Sequence, residues 1–278
     1  ALRHAYSNNT ENLAVSLMLS QLLAVTGRCN EANDYLKKLA AAEGEARNVV
    51  IFYALCDPQG AAKLLGDYLR RMDRAGIEHS LPVERVYDDV VQMWKGSGVG
   101  YTPTLIVTYG GLAADPYWRA HTDVWRHPIL SKHVPPHILQ PSSVRSTKAP
   151  EEDYVDQYSA REAHKLMQRG VNVSTAGHGQ EEGLADHWDL WSLVRGGWKP
   201  VEALRAATIM GARKLGMEKD IGSLEAGKLA DLVVLNDNPL TDIRNSDHIA
   251  SVMVNGRMYD AVTMNEDGTG TAKRAKYY

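Results

Sequence analysis

Between residues 75 and 222 short apolar runs alternate with amphipathic helical spacing, and this alternation limits the possible folds more than any other feature of the sequence. Ala75 to Ser80 has the makeup of a short strand. Val83 to Trp94 puts Val86, Val90, Val91 and Trp94 on one helical face. Leu105-Ile106-Val107, opened by Thr102-Pro103-Thr104, reads as a buried strand. Glu151 to Gln168 reads as a helix ended by Gly170, Val171 to Thr175 as a strand, and 184–195 and 200–215 as helices. Strands separated by helices predict an α/β class, with a parallel sheet joined by crossovers. The interval 109–149, polar, aromatic and rich in proline, is expected to be a long loop region.

The flanks have a different texture. Residues 1–74 read as wholly helical: Leu13, Leu17, Leu22 and Val25 run up to Gly27, and Ala32, Tyr35, Leu36 and Leu39 share one face of a helix from Glu31 to Ala42. Further helices are expected over 48–56 and 60–72. Asp34-Tyr35-Leu36-Lys37-Lys38-Leu39 returns 33 residues later as Asp67-Tyr68-Leu69-Arg70-Arg71-Met72, a period that resembles tetratricopeptide-type repeats. A generic four-helix segment is the other reading of these residues. Residues 223–264 read as β: strands at 229–235 and 248–254, then an Asn255-Gly256 turn into 257–262. Residues 265–278 form a polar tail.

Composition removes several classes. The formal net charge of −3, from 31 basic and 34 acidic residues, argues against a non-specific polyanion binder. Two cysteines exclude a disulfide scaffold and a Cys-rich zinc module; Cys29 and Cys56, on apolar helix faces, are expected to be inert core residues. No apolar run approaches the ~20 residues that span a bilayer. No basic-then-apolar leader opens the sequence as given; a cytoplasmic location is the default expectation, and an extracytoplasmic one stays open if the N-terminus is truncated. His121, His127, His133 and His137 cluster in the long loop, but Pro135 and Pro136 forbid a helical ligand pair. Tyr117, Trp118 and Trp125 fit a packing surface or substrate rim better than a nucleic-acid platform.

The stretch Gly222-Ser223-Leu224-Glu225-Ala226-Gly227-Lys228-Leu229-Ala230-Asp231-Leu232-Val233-Val234 resembles the closing segment of the amidohydrolase superfamily, in the branch of imidazolonepropionase-like enzymes and prolidases. Glu202-Ala203-Leu204-Arg205-Ala206-Ala207-Thr208 with Gly211-Ala212 is similar to that family's last barrel helix, and Val252-Met253-Val254-Asn255-Gly256 to its final hairpin. The resemblance runs from about Gly76 to Met264. It implies a (β/α)8 barrel with one or two divalent metals at the C-terminal ends of its strands, where the βα loops converge. It also implies a metal-bound water whose pKa falls to about 7, and an acidic general base on the eighth strand.

Carried over residue by residue, Gly76-Ile77-Glu78-His79-Ser80 resembles the sixth strand, which makes His79 a metal ligand by position. A histidine hydrogen-bonded at a strand end is the plain alternative. Tyr101 to Val107 resembles the seventh strand, with Thr108 and Tyr109 at its mouth, placed to touch substrate or to pack the loop. Val171 to His178 resembles the eighth. There Ala176-Gly177-His178 stands where most of the superfamily has Gly-Thr-Asp, so His178 replaces the residue that is both ligand and base. His178-Gly179-Gln180, Gly183-Leu184 and His187-Trp188-Asp189 are similar to a subgroup often fused to a propeller. His187 and Asp189 are the candidate bases, with helix capping as the alternative for Asp189. Arg145 is a further substrate-side candidate.

The first five barrel strands have no counterpart here, nor do the His-x-His pair, the bridging lysine and the fifth-strand histidine. The 148 residues from 75 to 222 fall short of the ~200–250 of a full barrel. The expected architecture is therefore the last three βα units of a barrel (75–222) with part of a small β-sandwich (223–264), preceded by the helical segment (1–74). Two functions follow. One is hydrolysis of a C–N bond in a small amide or peptide-like substrate with a divalent metal, expected to be zinc, and with a second copy or partner chain supplying the missing strands. The other is a non-catalytic helical interaction module fused to a partial barrel. No nucleic-acid partner is expected.

Overall fold

The computed structural model describes residues 16, 19–20, 22–24, 26–41, 56–57, 59, 76–81, 85–141, 143–144, 146–181 and 183–267. Its contacts divide the chain into two units. One comprises residues 1–76, 86–100 and 169–171, the other 77–85, 101–168 and 172–278. The helices expected over 48–56 and 60–72, and the repeat built on them, lie almost wholly outside the described residues.

In the first unit, α1 (Cys29–Ala41) buries Ala32, Leu36 and Leu39, the face its spacing predicts. Cys29 is joined to Cys56 by a disulfide, which corrects the expectation of two inert core thiols. Helix α2 (Asp88–Ser97) starts later than expected. It carries Asp88 and Asp89 in its first turn and ends on Gly98 in the left-handed conformation. Its buried Trp94 donates its indole N–H to the Val99 carbonyl, 3.1 Å away.

The second unit is mixed α/β. Strands β1 (Gly76–Glu78) and β2 (Gly100–Thr102) form a two-stranded sheet, and Val173 bridges Tyr101 in parallel. Leu105–Val107, expected to be a strand, is a 3-10 turn. The Leu105 N–H donates to the Asp189 carboxylate at 2.8 Å, so a side chain takes the donor that a neighbouring strand would otherwise satisfy. The interval 109–149 is also more ordered than a loop. It holds α3 (Ala114–His121), a 3-10 turn at Val124–Arg126, α4 (Leu130–His133) and α5 (Pro136–Leu139), the last opened by proline at its first turn. Trp118 is buried and donates to Ser192 Oγ at 2.8 Å, a packing role.

Helix α6 (Asp156–Gln168) packs on α7 (Leu184–Arg195). Gly196 makes the approach possible, since a Cβ there would lie 2.2 Å from Ala160 Cβ. Helix α7 is buried nearly all round, through Leu184, Ala185, Trp188, Leu190, Trp191 and Leu193, as a central core helix must be. Arg195 Nη1 at its end donates to both oxygens of the fully buried Asp156 carboxylate, at 2.7 and 2.8 Å. The expected helix 200–215 is α8 (Pro200–Arg205), a π-turn over Ala206–Met210, and α9 (Gly211–Leu215). Glu202 accepts the Lys199 N–H at 2.8 Å and so caps its start.

The C-terminal strands β3 (Leu232–Leu235), β4 (Ile249–Val254) and β5 (Arg257–Asp260) form an antiparallel meander. Leu232 lies opposite Met253 and Val254 opposite Arg257. Asn255 and Gly256 both hold positive φ, 49° and 78°, the geometry of the tight hairpin turn their sequence predicts.

Candidate active site

The residues after β1, after β2 and after the Val173 bridge carry the same backbone signature. His79, Thr104 and His178 all hold left-handed conformations, with φ of 70°, 50° and 54°. Side chains with a Cβ avoid this region, and Thr, branched at Cβ, avoids it most. His79 directly follows β1, Thr104 lies two residues past β2 and His178 lies in a turn five residues past the Val173 bridge; such conformations store of order 1–3 kcal/mol each, the kind of strain that clusters at functional sites.

These turns bring His79 and His178 together. Their rings meet edge to face with centroids 5.0 Å apart. His79 Nδ1 is buried and has no hydrogen-bond partner. His178 Nδ1 lies 2.8 Å from Gln180 Oε1. An amide oxygen can only accept, so Nδ1 is the donor in this contact. Tyr109 joins the pair: its ring lies 6.3 Å from that of His79, and its backbone N–H donates to Ser80 Oγ at 3.1 Å.

The loop carrying His178 is fixed from two sides. Arg119 on α3 pairs with Glu181 at 2.9 Å and with Asp115 at 3.0 Å, and donates to the Gln180 carbonyl at 3.4 Å. Its guanidinium lies over the Trp188 ring. Both partners of the Arg119–Glu181 pair are nearly buried. Gly177 lets the same loop close on α7, because a Cβ there would lie 2.6 Å from Asp186 Oδ1. No sequence expectation included Arg119, and Gln180 entered only as part of the subgroup-like motif, without a role. The Asp115–Arg119 spacing of four on one helix was the available signal.

Asp189 is fully buried inside α7 and does not cap that helix. One oxygen accepts the Leu105 N–H at 2.8 Å and the other the Ala176 N–H at 3.1 Å. It therefore ties the segment after β2 to the segment leading into His178. Burial pushes its carboxyl up to about 7, against the pull of those two N–H donors. Each oxygen thus accepts one backbone N–H, which makes Asp189 a tie that positions both segments. His187 faces elsewhere: its Nδ1 lies 3.1 Å from Ser246 Oγ, and burial lowers its pKa. The geometry thus gathers His79, His178 and Tyr109, ties Asp189 to Leu105 and Ala176, and turns His187 toward Ser246. Arg145 lies outside the described residues.

The pair supplies two imidazole donors, one with an orphaned buried nitrogen, and so suits two positions of a metal centre. Among the described residues no group of three His, Cys, Asp or Glu could hold an ion. A closed zinc site takes four ligands and a catalytic one takes three with a water, so these residues fit part of such a centre and not the whole.

The sequence profile described as Amidohydrolase family matches residues 64–259, which include both histidines. The chain belongs to the amidohydrolase family. Curated proteins similar to it include imidazolonepropionases and adenosine-type deaminases. It is 28% identical to imidazolonepropionase of Geobacillus kaustophilus over 175 residues, 61% of this chain and 37% of that protein. It is 60% identical to imidazolonepropionase of Symbiobacterium thermophilum over 40 residues, 14% of this chain and 9% of the relative. Among solved structures, a putative prolidase from Bifidobacterium longum aligns at TM-score 0.44 and 24% identity, over 72% of this chain and 49% of that one. A Xaa-Pro dipeptidase with bound methionine aligns at TM-score 0.44 and 18% identity, over 74% and 48%. The chain spans between 8% and 37% of the curated relatives it matches. Among the described residues no helix is long and apolar enough to cross a membrane.

Proposed function

We propose that this amidohydrolase-family chain contributes the C-terminal part of a hydrolytic site, with His79 and His178 as two donors to a divalent metal, zinc by the preference of imidazole ligands. The remaining donors would come from barrel strands that these 278 residues do not include. Residues 75–222 would then be the closing βα units of the barrel, and 223–264 part of the small sandwich. The reaction is hydrolysis of a C–N bond in a small amide or peptide-like molecule. When bound, such an ion makes hydroxide available at neutral pH by lowering the pKa of its water to about 7.

The observation that carries this reading is the meeting of His79 and His178, both with positive φ. The chain's own residues then have separable tasks. Gln180 holds the proton on His178 Nδ1, which presents Nε2 as the donor. Arg119, through Glu181 and the Gln180 carbonyl, keeps that loop in place. Asp189 fixes the distance between neighbouring strand ends through Leu105 and Ala176. Tyr109, half exposed beside His79, stands where a substrate group would pass.

The test is long-range 1H–15N NMR of the histidine rings during a zinc titration. Nitrogens of His79 and His178 should shift together, with His178 responding at Nε2 and its Nδ1 staying protonated, while the His187 ring stays still. If the two rings respond independently, or His187 responds first, the reading fails. The non-catalytic interaction module then stands.

A further inference from the structure

A cavity of about 420 Å3 lies in the second unit, lined by the start of α7, the start of α4 and the β4–β5 side of the meander. This is within the ~300–1,000 Å3 of small-molecule pockets. Leu130, Leu184, Ile249, Val252 and Met264 make most of its surface apolar. Neither His79 nor His178 lines it, so it is separate from the site above.

Its polar edge is formed by His127, His187 and Asp247, with Asp260 nearby in the lining. Asp247 Oδ1 is buried and has no hydrogen-bond partner. The nearest cationic candidates are imidazoles: His127 Nε2 is 3.6 Å from Oδ2 and His248 Nε2 is 3.7 Å from Oδ1, both too long for a hydrogen bond. His187 is already engaged with Ser246 Oγ, which also takes the Trp191 indole N–H at 2.9 Å. The Asp260 Oδ1 already accepts from Thr263. No lysine or arginine is in the lining. A carboxylate at the edge of an apolar chamber whose basic neighbours are imidazoles, with no lysine or arginine in the lining, is complementary to an N–H cation on an apolar body.

We infer that this cavity binds a small organic ammonium, its apolar body packed among Leu130, Leu184, Val252 and Met264 and its N–H donated to Asp247. An alcohol of the same shape would keep the packing and lose the charge-assisted bond. A carboxylate would face Asp247 with like charge.

The experiment titrates 2-phenylethylammonium, 2-phenylethanol and 3-phenylpropionate separately into the metal-free full chain, followed by the Met264 methyl signal in 13C NMR. The ammonium should bind roughly tenfold more tightly than the alcohol, and the carboxylate weakest. Asp247→Asn should erase the ammonium's advantage and leave alcohol affinity unchanged, which also shows that the cavity is intact. Should Asp247→Asn fail to fold, Val252→Phe, which fills the chamber, should abolish binding of all three. The inference is overturned if the probes bind within about a factor of two of one another. It is equally overturned if the ammonium preference survives Asp247→Asn, if Val252→Phe leaves binding intact, or if no probe moves the Met264 methyl at millimolar concentration. No metal enters these measurements, so their failure leaves the reading of the histidine pair untouched.

Discussion

Replacing Asp189 by asparagine should change how stability depends on pH, in a direction fixed by burial. The folded protein holds this carboxyl at about 7, against 3.8 for the free group. A group whose folded pKa is raised binds its proton more tightly when folded. Its contribution is therefore most favourable below the ordinary carboxylate range and is lost as pH rises toward 7. Across the whole window the loss is about 4 kcal/mol, and between pH 5 and pH 8 it is about 2.5 kcal/mol. The substituted asparagine would not titrate. It would still accept one of the two backbone N–H groups and would turn its own amide N–H toward the other, a buried mismatch costing about 1–3 kcal/mol. Urea unfolding of both proteins, followed by tryptophan fluorescence at several pH values, isolates the effect because other titrating groups are common to both. The stability advantage of the wild type over Asp189→Asn should shrink by about 2.5 kcal/mol from pH 5 to pH 8. A gap that stays constant or widens would refute the argument that Asp189 is a buried, positioning carboxyl.

Two more perturbations test the frame around the site. Arg195→Met strands the buried Asp156 carboxylate and should cost about 3–5 kcal/mol in thermal or urea unfolding, well above a surface charge deletion. Removing the Cys29–Cys56 bridge by Cys29→Ser reopens a loop of 27 residues in the unfolded chain and should cost about 3–4 kcal/mol, with alkylation and mass spectrometry of the wild type finding no free thiol.

Some of these elements could be read directly from the sequence because their cause is local. Helix α7 spans the 184–195 that its flanking Gly183 and Gly196 mark out, and Asn255-Gly256 sets the β4–β5 hairpin. The family could be read for a different reason: its closing motif is continuous in sequence. Features decided by distant groups were not legible. Leu105-Ile106-Val107 has strand composition, but whether such a short run becomes a strand depends on who takes its N–H groups, and Asp189 does. The many polar and proline residues of 109–149 obscured α3, whose Trp118 is committed to Ser192 in α7. The Cys29–Cys56 pairing depends on proximity in space that spacing does not encode. Within the site, the two histidines follow from the resemblance. The roles of Asp189 and His187 could only be separated once α7 was seen to bury one among backbone donors and turn the other to Ser246.

The most direct test of the central claim is zinc affinity, measured by competition with a chromophoric chelator on the purified 278-residue protein. Two imidazoles without a third and fourth ligand should bind weakly. Dialysed protein should retain well under one equivalent, and His79→Ala and His178→Ala should each remove the residual binding. One tightly held equivalent in the wild type, or weak binding indifferent to both substitutions, would contradict the view that this chain holds two donors of a larger amidohydrolase centre.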